Sequence, residues 1–137
     1  MGPPLFLDTS FIIALEDSGD QNHHKAISFW KELKKYPRRF VTTTYVFDEV
    51  VTFLKNRINY QKAAEVGTRL FESPSVEIVH IMEEDFETAW KMFLQYKDRE
   101  FSFTDCLSFL IMERNNLKEA LTFDKHFKQM KFTALPS

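Results

Sequence analysis

Short apolar segments alternate with longer stretches of helical periodicity along the chain, and no other feature narrows its fold as much. Leu5 to Leu7, Phe40 to Thr43, Val76 to His80, Ala120 to Phe123 and Phe132 to Leu135 have the length and apolar character of buried strands. Between them lie helical patterns over Ser10 to Leu15, His23 to Lys35, Tyr45 to Asn56, Gln61 to Glu72, Glu84 to Tyr96 and Thr104 to Asn115. Such alternation predicts an α/β fold of three layers, α/β/α, with a mostly parallel central sheet and helices on both faces. In these folds ligands bind beyond the carboxyl ends of the strands, where the strand order switches, so chemistry is expected at that edge.

No Gly/Ser linker, low-complexity tract or repeat divides the 137 residues, which read as one domain spanning the chain. Fifteen phenylalanines and two tryptophans supply bulk for a core without cross-links. Cys106 is the only cysteine, which excludes an internal disulfide and a thiolate-rich zinc site and suits a reducing cytoplasm. The three glycines, Gly2, Gly19 and Gly67, are too scattered for a dinucleotide-binding turn or a phosphate loop. A formal charge of −2 argues against a purely electrostatic nucleic-acid binder. Apolar runs are too short to span a bilayer, and Met1 to Pro4 lead straight into a strand pattern, unlike a secretory signal.

Four carboxylates stand out. Asp8 and Asp124 close strand patterns, in Leu7-Asp8-Thr9-Ser10 and Phe123-Asp124-Lys125, and so fall on the expected functional edge. Each also fits an ordinary role as a helix N-cap. On a helical wheel Glu49 falls in the apolar sector between Tyr45 and Phe53, whereas Asp48 falls with Thr52 and Lys55 on the polar side. A carboxylate facing a core is costly unless a cation partner or a solvent-reaching geometry relieves it. Asp105 lies on the wheel between Phe109 and Met112, in a helix apolar around most of its circumference. A capping box with Ser102 is the competing explanation.

Two acids at strand ends and two on helices that pack against the same sheet can converge. Crowded carboxylates repel, and without a cation some take up protons. A divalent ion resolves the conflict. Oxygen ligands without cysteine or a histidine cluster favour Mg²⁺ or Mn²⁺ over zinc, an ion suited to phosphoryl transfer.

Five segments, in order, resemble the PIN domain family of metal-dependent ribonucleases, known best from VapC-type toxins. They are Leu7 to Leu15, Asp20 to Ala26, Thr43 to Val50, Phe101 to Ser108 and Leu121 to Phe127, so the resemblance covers nearly the whole chain. It implies that Asp8, Glu49, Asp105 and Asp124 form the catalytic, metal-holding constellation, and that Ser10 and Thr104 supply hydroxyls lining it. It further implies cleavage of RNA by metal-activated water to leave a 3′-hydroxyl and a 5′-phosphate. A homodimer is implied too, as is an antitoxin partner whose basic C-terminal segment plugs the acidic pocket. An arginine suits that role because it pairs bidentately with carboxylates.

The remaining candidates have plainer readings. His23, His24, His80 and His126 show no metal-ligand spacing, and His23 and His24 fit packing or capping. Lys31, Lys34, Lys35 and Arg38, on one face of an extended helix, could track an RNA backbone, or form a solvated helix end favoured by the dipole. Lys55 and Arg57 carry the same pair of readings. Asp98 and Glu100 read as loop surface, and Cys106 as a small buried hydrophobe. Phe29, Trp30 and Leu33, and also Phe86, Trp90, Phe93 and Leu94, have helical spacing and read as core. Two other classes compete with a nuclease. A phosphatase-like domain also gathers aspartates at strand ends, but here Ser10 stands where its second Asp belongs. A non-catalytic module could keep the acidic pocket to dock a basic peptide.

Overall fold

A computed structural model describes residues 2–137, which leaves Met1, the first residue of the lead into β1, outside the description. The chain runs β1 (Leu5–Leu7), α1 (Thr9–Glu16), α2 (His23–Leu33), β2 (Phe40–Thr43), α3 (Thr44–Arg57), α4 (Tyr60–Glu72), β3 (Val76–Val79), α5 (Glu83–Gln95), α6 (Phe103–Arg114), β4 (Glu119–Leu121), α7 (His126–Gln129) and β5 (Thr133–Leu135). The strands form one sheet in the order β3-β2-β1-β4-β5, and every pairing is parallel. This is the α/β architecture that the alternating pattern predicts.

The central strand β1 is wholly apolar because both its faces are covered. Leu5 and Phe6 have no exposed surface and Leu7 almost none, as expected for a parallel strand between helical layers. Burying a side chain of this size stabilises the fold by about 1.5–3 kcal/mol. The core continues through Phe11, Val46, Val50, Leu54, Leu107, Phe109, Ile111 and Phe127. Helix α6 is buried on nearly every side from Asp105 to Met112. Its near-continuous apolar sequence follows from that position.

Chain direction changes sides between β1 and β4. From β1 the chain moves to β2 and β3 on one flank, then returns through α5 and α6 to β4 on the other. The carboxyl ends of β1 and β4 therefore border the switch point. There the backbone N–H of Asp8 donates to the Leu121 carbonyl at 3.1 Å, and the Thr42 hydroxyl donates to the Leu7 carbonyl at 2.9 Å.

The structure corrects several local expectations. Strand β4 ends at Leu121 rather than Phe123, because the Phe123 N–H leaves the ladder and donates to Ser10 Oγ at 2.9 Å. Helix α7 is four residues long, too short to register as a periodicity. Phe86, Trp90 and Leu94 are not core: they are 46%, 48% and 55% exposed. Phe86, Trp90 and Phe93 lean on the Phe103 ring with centroids 5.1–6.4 Å away, which covers one side of each and leaves the outer face of α5 open. Trp30 packs as expected, against Phe11 and Phe40. Among the described residues no helix is long and apolar enough to cross a membrane.

Candidate active site

Asp8 is both an N-cap and a site residue. Extended backbone after β1 places it ahead of α1, where its carboxylate accepts a long bond from the Ser10 N–H. The hydroxyls of Ser10 and Thr122 each donate to the same oxygen, Oδ2, at 2.7 Å. Thr122 in turn accepts from the Asp124 N–H at 2.9 Å. One hydroxyl lattice thus joins the end of β1 to the end of β4.

Asp105 also combines two roles that the sequence offers as alternatives. It closes the capping box of α6: its Oδ2 accepts from the Ser102 N–H at 3.0 Å while Ser102 Oγ accepts from its own N–H at 2.9 Å. The same Oδ2 lies 2.8 Å from Nδ1 of His126. Asp124 Oδ1 accepts the His126 N–H at 2.9 Å and sits 3.1 Å from the same Nδ1. Asp105, Asp124 and His126 form a cluster whose donor atoms lie within 4.8 Å of one another. His126 is the site residue that sequence spacing misses. Its one sequence signal is its place two residues after Asp124.

Glu49 corrects the helical wheel. The core-facing residues of α3 are Val46, Val50 and Leu54, while Glu49 is exposed and Phe53 on the same stripe is 41% exposed. The sector that looks apolar is therefore a solvent margin, and Glu49 needs no buried cation. Its Oε1 accepts from the Thr9 hydroxyl at 2.7 Å, which ties it to the residue after Asp8.

All four carboxylates share one design. One oxygen of each is held by protein donors, namely Asp8 Oδ2, Glu49 Oε1, Asp105 Oδ2 and Asp124 Oδ1. The opposite oxygen of each makes no hydrogen bond among the described residues. Asp8, Asp105 and Asp124 lie close enough to feel one another's charge, and their free hard oxygens are the donor type that suits a divalent cation, whereas Glu49 is joined to this group only through Thr9 and, like Asp8, stands outside the 4.8 Å cluster. The local electrostatics agree. Burial pushes the Asp8 carboxyl up to about 6, hydrogen bonds from Thr122 and Ser10 pull it back, and the charges of Asp105 and Asp124 add to the rise. Burial likewise raises Asp105 against the favourable bonds from Ser102 and His126, with Asp124 adding to the rise. Like charges this close to buried acids are the repulsion that a cation relieves.

The other candidates fall elsewhere. Thr104 is half-buried in the first turn of α6, beside Asp105 in sequence, and its hydroxyl makes no hydrogen bond among the described residues. Lys31, Lys34, Lys35 and Arg38 do not share a helical face, because α2 stops at Leu33 and a turn follows. Lys35 pairs with Glu32, and Arg38 binds the Pro3 carbonyl and Glu119. Glu119 opens β4 and Arg38 precedes β2, so this group lies at the amino edge of the sheet, opposite the carboxylates. Arg57 is taken by Asp17. Glu100 and Asp98 are exposed. Cys106 is fully buried, its thiol pushed up to about 11 by burial and by Asp105. His23 Nδ1 contacts the Ala14 carbonyl at 2.8 Å, bracing α2 on α1. A cleft of about 560 Å³ opens beside Phe11, Trp30, Leu33 and Leu70, and none of the four acids lines it.

An all-parallel sheet with pinned acids at its switch point defines a class. The PIN domain model matches residues 5–133, and the chain belongs to that family. Over 128 residues it is 31% identical to the 23S rRNA-specific endonuclease VapC20 of Mycobacterium tuberculosis, in strains CDC 1551 / Oshkosh and ATCC 25618 / H37Rv, covering 93% of this chain and 95% of the relative. The crystal structure of Mycobacterium tuberculosis VapC20, described as a sarcin-ricin loop cleaving toxin, matches with a TM-score of 0.85 at 29% identity. That match covers 94% of this chain and 96% of the other.

Proposed function

We infer that the protein is a metal-dependent endoribonuclease and the toxin of a type II toxin–antitoxin pair, acting in the cytoplasm as a single catalytic domain over residues 1–137. The observation that carries this reading is the group of Asp8, Asp105 and Asp124 beside the switch point of a parallel sheet, each pinned through one oxygen and free on the other, with Glu49 tied to the residue after Asp8. The similarity to a 23S rRNA-specific endonuclease makes large ribosomal RNA the first substrate to test.

Asp8, Glu49, Asp105 and Asp124 would hold Mg²⁺ or Mn²⁺ through their free oxygens, the hard donor set that these ions prefer. When bound, such an ion acidifies a coordinated water and offsets charge on the scissile phosphate. The protein's own groups supply the geometry. Ser10 and Thr122 fix the rotamer of Asp8, Thr9 holds Glu49, and the free Thr104 hydroxyl at the start of α6 lines the approach. Hydrolysis adds water to phosphorus and breaks the bond to the 3′-oxygen, which leaves with a proton. The products are a 3′-hydroxyl and a 5′-phosphate.

Two partners belong to this reading. An antitoxin with a basic C-terminal segment would neutralise the acids that otherwise hold the cation, with an arginine paired bidentately. A second copy of the chain would cover the open apolar face of α5 at Phe86, Trp90 and Leu94.

The test is cleavage of 23S rRNA by purified protein with Mn²⁺ or Mg²⁺, beside Asp8→Asn. Discrete products bearing a 5′-phosphate are expected from the wild type alone, and none after chelation. Indistinguishable cleavage by the two proteins, or products unaffected by chelator, would overturn the reading.

A further inference from the structure

We propose that His126 is a positioning residue of the acidic site: its Nδ1–H bridges Asp105 and Asp124 and turns one free oxygen of each toward a common cation. This deepens the nuclease reading and rests on it.

Three observations carry the assignment. Nδ1 lies 2.8 Å from Asp105 Oδ2 and 3.1 Å from Asp124 Oδ1. Ionised carboxylates are acceptors only, so the ring nitrogen between two of them carries its hydrogen there, and Nδ1 serves as a donor to the acids rather than as a ligand; the ¹⁴N measurement below tests Nε2. Secondly, each of those oxygens already receives a backbone donor, from Ser102 and from His126 itself, at 3.0 and 2.9 Å. The imidazole therefore completes the pinned side of each acid and leaves the opposite oxygen open. Thirdly, the ring is held. Phe101 meets it edge-on with centroids 5.3 Å apart, and the next residue, Phe127, is fully buried between Phe6 and Phe109.

Asp105 belongs to α6 and Asp124 to the loop after β4, so two separate elements carry this pair of acids. Without a shared N–H, the two oxygens that face Nδ1 would face each other and repel. Outer groups that orient ligands in this way typically change metal affinity or activity by about 10–100-fold when removed.

The experiment compares wild type, His126→Ala and His126→Asn, the last placing an amide N–H near the position of Nδ1. Calorimetric titration with Mn²⁺ is expected to show an affinity loss of about 10–100-fold for His126→Ala, and recovery to within a few-fold for His126→Asn. At saturating Mn²⁺, kcat is expected to fall in His126→Ala with KM for RNA unchanged. A measurement on the wild type alone guards against a variant that fails to fold. Long-range ¹H–¹⁵N NMR of the metal-free protein should find Nδ1 protonated, and the Mn²⁺-loaded protein should show no histidine ¹⁴N coupling in its electron paramagnetic resonance. Unprotonated Nδ1, a ¹⁴N coupling, wild-type affinity in His126→Ala, or an Asn variant as weak as Ala would each overturn the proposal. A wild type that binds Mn²⁺ but cuts no RNA overturns the nuclease reading and leaves the clamp standing. One that binds no Mn²⁺ overturns both.

Discussion

The hydroxyl of Thr9 donates to Glu49 across 2.7 Å, joining the first turn of α1 to the second turn of α3. Glu49 is exposed and has no other hydrogen bond holding its carboxylate among the described residues, so this contact sets where the fourth acid points. A solvent-exposed hydrogen bond contributes little to folding, about 0.5–1 kcal/mol at most. Thr9→Val should therefore leave chemical denaturation almost unchanged while lowering kcat/KM on the order of tenfold, as loss of an orienting group does. Thr9→Ser should retain most activity. Full activity in the valine variant would mean that Glu49 is placed by something else.

Asp8 makes the metal-free protein sensitive to pH. Its carboxyl sits at about 6 in the fold against 3.8 as its ordinary value, so the native state binds this proton more tightly than the unfolded chain. That contribution to stability is complete below pH 3.8 and is lost as pH rises through 6. At pH 7.5 the charged form costs the fold roughly 3 kcal/mol. Asp8→Asn cannot ionise, and its side-chain oxygen still accepts from Ser10 and Thr122. In chelator at pH 7.5 it should unfold several degrees above the wild type, with the gap narrowing as pH falls through 6 and closing only near pH 3.8. A gap that stays constant with pH would refute the origin given to it, and the variant should be inactive throughout.

A cation bound only by the folded state raises its stability, by about 2.7 kcal/mol at a hundred times Kd. Millimolar Mn²⁺ should therefore lift the Tm of the wild type, and do so much less for Asp105→Asn. The capping box survives that change, because an asparagine oxygen still accepts from the Ser102 N–H. Equal shifts in the two proteins would remove Asp105 from the ligand set.

Lys31 and Lys34 make no ion pair among the described residues, unlike Lys35 and Arg38. They lie toward the amino edge of the sheet, away from the acids, so any RNA they touch is flanking rather than scissile. Lys31→Glu with Lys34→Glu should raise KM several-fold for a long RNA, more at low salt, and leave cleavage of a short oligonucleotide unchanged. Equal KM values for the long RNA would take these lysines out of the RNA path.

Much of the fold was legible because its signals are local. A parallel strand covered on both faces, such as Leu5–Leu7, reads as an unbroken apolar run, and the helical pattern over Gln61 to Glu72 matches α4. Asp8 and Asp124 were legible as acids where strands end. What failed were inferences about partners distant in the chain. An apolar stripe on α3 or α5 looks the same whether it meets a core or water, and only the packing around Phe103 decided that Phe86 and Trp90 stay half in solvent. The α2 lysines looked like one face until the turn after Leu33 separated them.

By itself the sequence determined the layers and the parallel strands and marked four acids as candidates, since hydrophobic period and chain order are written residue by residue. Tertiary structure alone decided which oxygen of each acid is bound and which is free, that Glu49 faces water, and that His126 stands between Asp105 and Asp124. Those facts depend on hydrogen bonds between elements up to 114 residues apart, such as Thr122 to Asp8. A contact of that kind exists only once the sheet has brought its strands side by side.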